Sequence, residues 1–143
     1  MSTNRETVRD ALVTLLTAAL VGAGLPAKTV IGSAVGDLKG QTPLVAVLSG
    51  GTLRETEPIN RPTFLLEVQS WVVRSATGWT TAQAEDALDE IESLIASTYE
   101  ANRGTDEWEI VQYASETVVS EVESAGITYY LERIPTVVRL AKS

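Results

Sequence analysis

The chain has 143 residues, with 11 basic and 19 acidic side chains, a formal net charge of -8, and neither histidine nor cysteine. Its length and 44% hydrophobic content predict a single domain over residues 1–143 with a core of its own. The negative balance argues against binding to nucleic acid or to an anionic membrane, because both need clustered Lys and Arg. Without His and Cys, the Ser-His-Asp and Cys-His catalytic sets and the usual zinc sites are excluded. We therefore expect no catalytic residue, no cofactor and no metal.

The first predicted element is an amphipathic helix over Thr3–Val21. Thr3 and Glu6 have the spacing of a capping box, and apolar residues recur every three or four positions, as on the buried face of a helix. The apolar run Ala11–Ala23 also has the length of a signal-peptide core. Acidic residues balance the basic ones before it, whereas a secretory leader is net positive, so a packed helix is favoured.

Two strands and a long loop are predicted next. Lys28–Gly32 has the pattern of a short strand, and the apolar run Leu44–Leu48 has that of a strand buried on both faces, ending at Gly50 and Gly51. The following segment, Thr52–Pro62, is polar and contains two prolines. Loops of this length in compact domains are usually functional or disordered, so this one is a candidate contact surface.

The middle of the chain predicts one long strand and a second helix. Thr63–Arg74 alternates between apolar residues on one side and Glu67, Gln69 and Trp71 on the other. Thr80 and Gln83 then form a second capping box before the amphipathic helix Thr81–Ala101. This order of elements predicts an α+β fold with a mixed, mostly antiparallel sheet and two main amphipathic helices packed on it.

The second helix carries a cluster of carboxylates with two interpretations. Glu85, Asp89 and Glu92 share one helical face and have the chemistry of a Mg²⁺ or Ca²⁺ site. They also lie opposite the apolar stripe and near the helix N-terminus, where negative charge is favourable without any ligand. A solvated helix face is the better interpretation.

The last third of the chain predicts three strands, at Trp108–Tyr113, Thr117–Glu121 and Ile127–Leu140. Pro135 lies in the middle of the longest one. Since proline cannot donate to a ladder, we expect this strand to lie at an edge of the sheet or to be bulged there. An exposed edge would allow oligomerisation by extension of the sheet.

Some aromatic residues also bear on assembly. Trp79, just before the second helix, can either fasten the entry to that helix or project into an interface. The consecutive Tyr129 and Tyr130 must point to opposite faces of their strand, so at least one is expected to contact something other than the main core.

The whole layout resembles the tail terminator, or tail completion, proteins of long-tailed bacteriophages. The resemblance covers nearly the full length and rests on the succession VRDALVTLLTAAL, LVAVL ending in Gly-Gly, TLRETEPINRP, TFLLEVQSWVV, AEDALDEIESLIAS and YYLERIPTVVRLA. It implies a mixed sheet flanked by helices, and a ring of six subunits. That ring would cap the tail-tube protein, halt tube growth and offer a surface to a neck or head-completion protein.

The resemblance also implies a location and two contact regions. The protein would be assembled in the host cytoplasm and lie at the head-proximal end of the virion tail, where DNA passes through the ring without specific binding. A negative channel lining would repel phosphate. Candidate residues for the tube or neck contact are Arg54, Glu55, Glu57, Asn60 and Arg61, and those for the subunit interface are Trp79, Tyr129, Arg133, Pro135 and Arg139.

Other functions stay open at this point. Another head-tail neck component, such as a head-closure or joining protein, has a similar size and also forms rings. A tube subunit usually has more strand and less helix. A monomeric α+β binding module, or a small enzyme that uses carboxylates, belongs to a different class, and ring formation separates these two from the others.

Overall fold

The computed structural model describes residues 4–38, 40–54 and 62–140. It contains two helices packed on a six-stranded mixed sheet, which confirms the predicted α+β class. In chain order the elements are α1 Arg5–Leu20, β1 Thr29–Ile31, β2 Leu44–Arg54, β3 Pro62–Val73, α2 Thr81–Ala101, β4 Ile110–Tyr113, β5 Val118–Ser124 and β6 Ile127–Arg139.

The strand order is β1-β2-β3-β6, and both β4 and β5 pair with the far side of β6. β1 runs parallel to β2, and all other neighbours are antiparallel. β5 pairs with the first half of β6, and β4 pairs with its last four residues. A two-residue turn with positive φ at Ala125 and Gly126 joins β5 to β6, as in a tight hairpin.

The two helix starts differ in how well the sequence predicted them. Thr80 and Gln83 form the predicted capping box of α2, with both reciprocal hydrogen bonds present. The N-cap of α1 is Asn4, whose side chain accepts from the amide of Thr7 at 2.9 Å. Asn4 therefore does what the sequence assigned to Thr3, which lies outside the described residues.

The main core lies between the helices and one face of the sheet. The apolar stripes of both helices are buried there, together with alternate residues of β3 and β6. Fully or almost fully buried members include Leu12, Leu16, Phe64, Val68, Ile91, Ile95, Ile134 and Val138. The periodicities of the two helices and of β3 predicted the burial of the members that these three elements contribute.

The opposite face of the sheet has a smaller apolar cluster at the end near β1. Leu44, Ala46, Tyr129 and Leu131 are buried there, although they face away from the helices. Leu38, from the segment between β1 and β2, is buried beside Tyr129. The rest of this face, toward the other end of β3, is more exposed.

Two predicted boundaries around β2 and β3 are wrong. β2 does not end at Gly50-Gly51 but continues to Arg54 after a register shift between Ser49 and Thr52. Pro62, predicted as loop, is the first residue of β3 and pairs with Arg54. Glycines tolerate this irregularity, which lets an extended strand continue where the sequence suggested a stop.

Trp108 was predicted on a strand but precedes β4. It is buried, and its indole Nε1 donates to the carbonyl of Asn102 at 2.9 Å. The residue packs the turn after α2 into the core, so burial of a large aromatic explains it.

The prediction that the strand carrying Pro135 lies at an edge or is bulged there is also wrong, because β6 is paired on both sides and its register with β3 is continuous through Pro135. Pro135 stands opposite Glu67 of β3. On its other side, β4 pairing begins at Thr136 and β5 pairing ends at Arg133. The proline nitrogen faces the gap between these two strands, where no ladder needs a donor.

Candidate assembly surfaces

The strand β5 is exposed on both faces. Val118 and Val119 point to opposite sides of the sheet, yet their side chains are 57% and 53% exposed. β5 pairs only with β6, so within the described residues its outer edge has no neighbouring strand. An uncovered strand with apolar residues on both faces is a typical site for pairing with another chain.

The outer edge of β5 is acidic. Glu121 and Glu123 lie at positions whose backbone N–H and C=O groups point away from β6, and Glu116 precedes the strand. The Glu121 carboxylate lies 3.4 Å from Nη1 of Arg74, in a largely exposed ion pair. Such an exposed pair contributes little to stability. Glu121 and Glu123 are both exposed, so the carboxylates of both are accessible to a partner.

In the part of the chain that the structure describes, the last half of β2 forms a second open edge, because β1 pairs only with the first residues of β2. The N-terminus of α1 lies beside it. Arg5 Nη1 donates to the Gly50 carbonyl at 2.8 Å, and Arg9 Nη1 donates to Ser49 Oγ at 3.2 Å. With Arg54 and Glu6, these side chains line a groove of about 440 Å³, in which three arginines outnumber one carboxylate, so this edge carries a net positive charge.

Arg54 is the one predicted tube- or neck-contacting residue that the structure describes. It is exposed at the end of β2, on a strand rather than in the loop where the sequence placed it. The other four candidates, Glu55, Glu57, Asn60 and Arg61, lie outside the described residues.

The predicted interface residues divide into two groups. Trp79 and Tyr129 come together: both line a cleft of about 340 Å³ that also contains Leu38 and Lys28. Trp79 is half-buried, packs against the main core, and donates from Nε1 to the Val73 carbonyl at 2.8 Å. Trp79 therefore fastens the entry to α2 and also lines the cleft.

Tyr129 is buried on the face of the sheet away from the helices. Its ring meets that of Trp71 edge to face, with centroids 6.2 Å apart. Tyr130, on the other face, packs against the main core, so the two tyrosines do meet different surroundings. Trp71 in turn donates to Gln69, which donates to Glu67, giving Glu67 a partner that the sequence did not reveal.

Arg133, Pro135 and Arg139 share that same face of β6 with Tyr129. Arg133 is exposed, whereas Pro135 and Arg139 are half-buried. Near them the face carries Leu65, directly opposite Val137, and Leu53, whose side chain is 62% exposed. This end of the sheet is a mixed apolar and basic surface.

A cluster of polar groups lies between α2 and the sheet. Thr117 Oγ1 donates to Glu132 at 2.6 Å, and the hydroxyl of Tyr113 donates to Glu92 at 2.5 Å. Burial raises the pKa of Glu132, and the charges of Glu92 and Asp89 raise it further, although the Thr117 hydrogen bond opposes them. Burial, followed by the hydrogen bond to Glu92, also raises the pKa of Tyr113.

This cluster does not amount to a metal centre. Among residues 4–38, 40–54 and 62–140, no group of three or more acidic side chains lies close enough together to hold an ion. Over the same ranges, neither helix is long and apolar enough to cross a membrane. The described features are typical of contact surfaces. They are open strand edges, exposed valines and leucines, and separated patches of opposite charge.

Sequence reasoning missed the two surfaces that are most open. Val118 and Val119 lie in a predicted short strand for which no exposure was predicted, and Arg5 and Arg9 lie in the predicted first helix, to which no contact was assigned. A signal was present in TVVSEVES, since two adjacent apolar residues followed by alternating glutamates leave neither face of the strand fully polar.

Comparison with known protein families and with characterised proteins finds no significant match to this chain.

Proposed function

We propose that this protein is a structural component of the tail of a long-tailed bacteriophage. It forms a ring that caps the tail tube, stops tube polymerisation and provides the surface for attachment of the head or neck. The observation that carries this proposal is β5, an edge strand whose Val118 and Val119 are exposed on opposite faces. A strand of this kind suits a protein that completes its fold against copies of itself.

Three further features support an assembly function. The exposed apolar residues Leu53 and Leu65 lie at the far end of the sheet from the buried cluster around Tyr129. Charge is separated, with arginines beside β2 and glutamates along β5. The net charge of -8 suits a ring through which DNA passes without binding, because a negative lining repels phosphate.

The test is the mass of the protein in solution, alone and mixed with the tail-tube protein encoded with it. We expect a mass near six subunits, or a monomer that forms a ring only at tube ends, together with tubes of arrested length in electron micrographs. Changing Val118 and Val119 to Lys should abolish the ring. The matched control is Leu25→Lys, which alters an exposed apolar residue outside the sheet and should leave the ring intact.

The segment between Arg54 and Pro62 is the proposed contact for the tube or neck. Arg61→Glu should lower capture of tube ends while leaving the ring mass unchanged. Normal capture by this variant would remove the segment from the proposal. Capture of head-completion proteins but not of tubes would instead favour a head-closure or joining protein.

One observation favours a different class. The cleft formed by Trp79 and Tyr129, with Lys28 at its side, is concave and largely apolar, as ligand sites usually are. A protein that stays monomeric at all concentrations and ignores tubes would point to a binding module that uses this cleft.

A further inference from the structure

The outer edge of β5 and the Thr52–Arg54 edge of β2 carry opposite charges, run in opposite directions and present side chains to the same two faces of the sheet. We propose that subunits join head to tail: β5 of one copy adds to the sheet of the next by pairing antiparallel with the Thr52–Arg54 end of its β2. The inference rests on the proposed function, in that it names the contact by which the ring closes.

Backbone geometry shows which groups are free at the β5 edge. The carbonyls of Pro135 and Arg139 accept from residues on the β4 side, so odd-numbered residues of β6 direct their polar groups toward β4 and β5. Their register partners in β5 are Val118 and every second residue after it. Val119, Glu121 and Glu123 therefore direct N–H and C=O outward, where no described strand receives them.

The same reasoning applies to β2. The Pro62 carbonyl accepts from Leu140, so even-numbered residues of β3 face β6 and odd-numbered ones face β2. Leu53, the partner of Thr63, therefore bonds inward, and Thr52 and Arg54 direct their backbone groups outward. Arg54 is exposed and Thr52 is half-buried, so both are within reach of a strand laid along this edge.

Strand direction permits the pairing. β2 is antiparallel to β3, β3 to β6, and β6 to β5. β5 thus runs opposite to β2, so a second sheet in the same orientation meets the first antiparallel. β5 is level with the Leu44–Ala46 end of β2, whereas Thr52 is level with Val138 of β6. The second copy is therefore displaced along the strands as well as placed beside the first, so that its Thr52 stands opposite Glu121. Each contact then joins two different edges, which is the head-to-tail type of interface that can close into a ring.

The side chains match on both faces of such a continued sheet. On the face toward the helices, β5 presents Glu121 and Glu123, and β2 presents Arg54, with Arg5 of α1 beside it. On the other face, with Thr52 opposite Glu121, the exposed Leu53 of the next copy stands opposite Ser120 and diagonally across from the exposed Val118. Opposite charges and apolar pairs across neighbouring strands each stabilise a ladder.

Pairing of like edges is disfavoured by the same charges. Two β5 strands placed antiparallel about their centres would set Glu121 against its own copy, and two β2 ends would bring Arg54 near a second cluster of arginines. Like charges directly opposite each other destabilise a ladder. Charges on an edge strand commonly prevent unwanted pairing. Here the glutamates of β5 disfavour pairing with a second β5 and favour pairing with the basic Thr52–Arg54 edge of β2.

The first experiment exchanges the charges. One variant carries Glu121→Arg and Glu123→Arg, and the other carries Arg5→Glu and Arg54→Glu. Each variant alone has two edges of the same sign, so its self-association should weaken by about tenfold or more, as for close charge pairs at interfaces. An equal mixture of the two offers opposite edges at every junction and should regain the mass of the ring.

Each outcome of the mixture decides the matter. Recovery of the ring supports the pairing of β5 with β2, because neither protein alone supplies both signs. Rings formed normally by each variant alone would overturn it. Loss of the ring in both variants without recovery on mixing would also overturn it, provided that circular dichroism and thermal unfolding show both variants folded.

A cross-link gives an independent test, because the chain has no native cysteine. A protein carrying both Thr52→Cys and Glu121→Cys should form covalent multimers on mild oxidation, with a ladder of masses. Each single-cysteine variant should stay uncross-linked. A covalent dimer from Glu121→Cys alone would show β5 paired with β5 and would overturn the inference.

The two proposals fail in different ways. A ring of normal mass that gives no cross-link in the double-cysteine protein, and is unaffected by the charge changes, refutes this contact while leaving the ring-forming function intact. A protein that remains monomeric with and without tubes, and gives no cross-link, refutes both.

Discussion

The carbonyl oxygen of Pro135 accepts a hydrogen bond of 2.8 Å from the amide of Ala114. Ala114 is the residue just after β4, so the bond lies beyond the end of β4 and before the start of β5, the two strands that pair with this side of β6. The acceptor of the proline is thereby satisfied, and its missing donor falls where no strand needs one. This relationship explains how a proline occupies the interior of a sheet.

Moving the proline by two residues should therefore be far more damaging than removing it. Pro135→Ala should change the free energy of unfolding by less than about 1 kcal/mol, mainly through greater freedom of the unfolded chain. Arg133→Pro, on the same face, removes the donor that faces Val118 and should cost about 2 kcal/mol or more. Arg133→Ala is the control for loss of the side chain. Urea unfolding of the variants measures all of these, and equal losses for the two proline changes would contradict the geometry.

The register shift in β2 depends more on Gly50 than on Gly51. A Cβ at Gly50 would lie 2.7 Å from the carbonyl oxygen of Leu65, whereas a Cβ at Gly51 would meet nothing closer than 3.9 Å. Backbone on the adjacent strand must move to accept Gly50→Ala, so we expect a loss of about 1–3 kcal/mol. Gly51→Ala should stay within about 0.5 kcal/mol of the parent. Thermal unfolding of the pair gives the comparison, and equal stability would show that the strands adjust freely.

Local periodicity was enough to predict most of the fold. The α2 helix begins at Thr81 and ends at Ala101 as predicted, because a capping box and an uninterrupted apolar stripe act together there. The alternation in β3 identified the buried face of that strand. Each of these signals is contained within one element, which is why a single sequence reveals it.

The order of the strands in the sheet could not be predicted from the sequence. Whether Pro135 lies at an edge depends on where β4 and β5 stop along β6, and that is set by the pairing of segments far apart in the chain. The continuation of β2 through two glycines depends similarly on its partner β3. For the same reason the predicted contact residues included Arg133 and Arg54 but missed Val118 and Val119. Their exposure follows from the position of β5, which has a neighbouring strand on one side only among residues 4–38, 40–54 and 62–140.

The buried hydroxyl of Tyr99 provides a test of packing between α2 and β6. It lies 2.9 Å from Thr136 Oγ1, and the threonine also donates to the Ile134 carbonyl at 3.2 Å. Burial raises the pKa of Tyr99, so the phenol stays neutral over the ordinary pH range. Tyr99→Phe leaves Thr136 with its other partner and should cost about 1 kcal/mol.

Removing the hydroxyl of Thr136 should lower the free energy of unfolding more than removing that of Tyr99. Thr136→Val leaves the Tyr99 hydroxyl buried without a partner, which costs about 1–3 kcal/mol. A double-mutant cycle in urea should show that the two substitutions are coupled. Tyr130→Phe is the control, because its hydroxyl has no partner in the described part of the chain. Additive effects of the two changes would contradict a direct hydrogen bond.

Glu132 makes the stability of the fold depend on pH. Its carboxyl is buried beside Thr117 and faces the negative charges of Glu92 and Asp89, with the neutral phenol of Tyr113 also nearby, and the net effect raises its pKa. The folded protein therefore holds this proton more tightly than the unfolded chain, whose glutamates titrate near about 4.3. The resulting stabilisation is complete below that pH and is lost as pH rises through the higher pKa of the folded state.

Glu132→Gln removes this titration while keeping a side chain that accepts from Thr117. The variant should be more stable than the parent at pH 7, and the difference should shrink as the pH falls toward about 4, where the parent carboxyl is also neutral. Urea unfolding over this range measures the trend, with Glu100→Gln, the same chemical change at an exposed carboxyl of α2, as the matched control. A constant difference between variant and parent at every pH would show that packing, rather than the buried charge, distinguishes them.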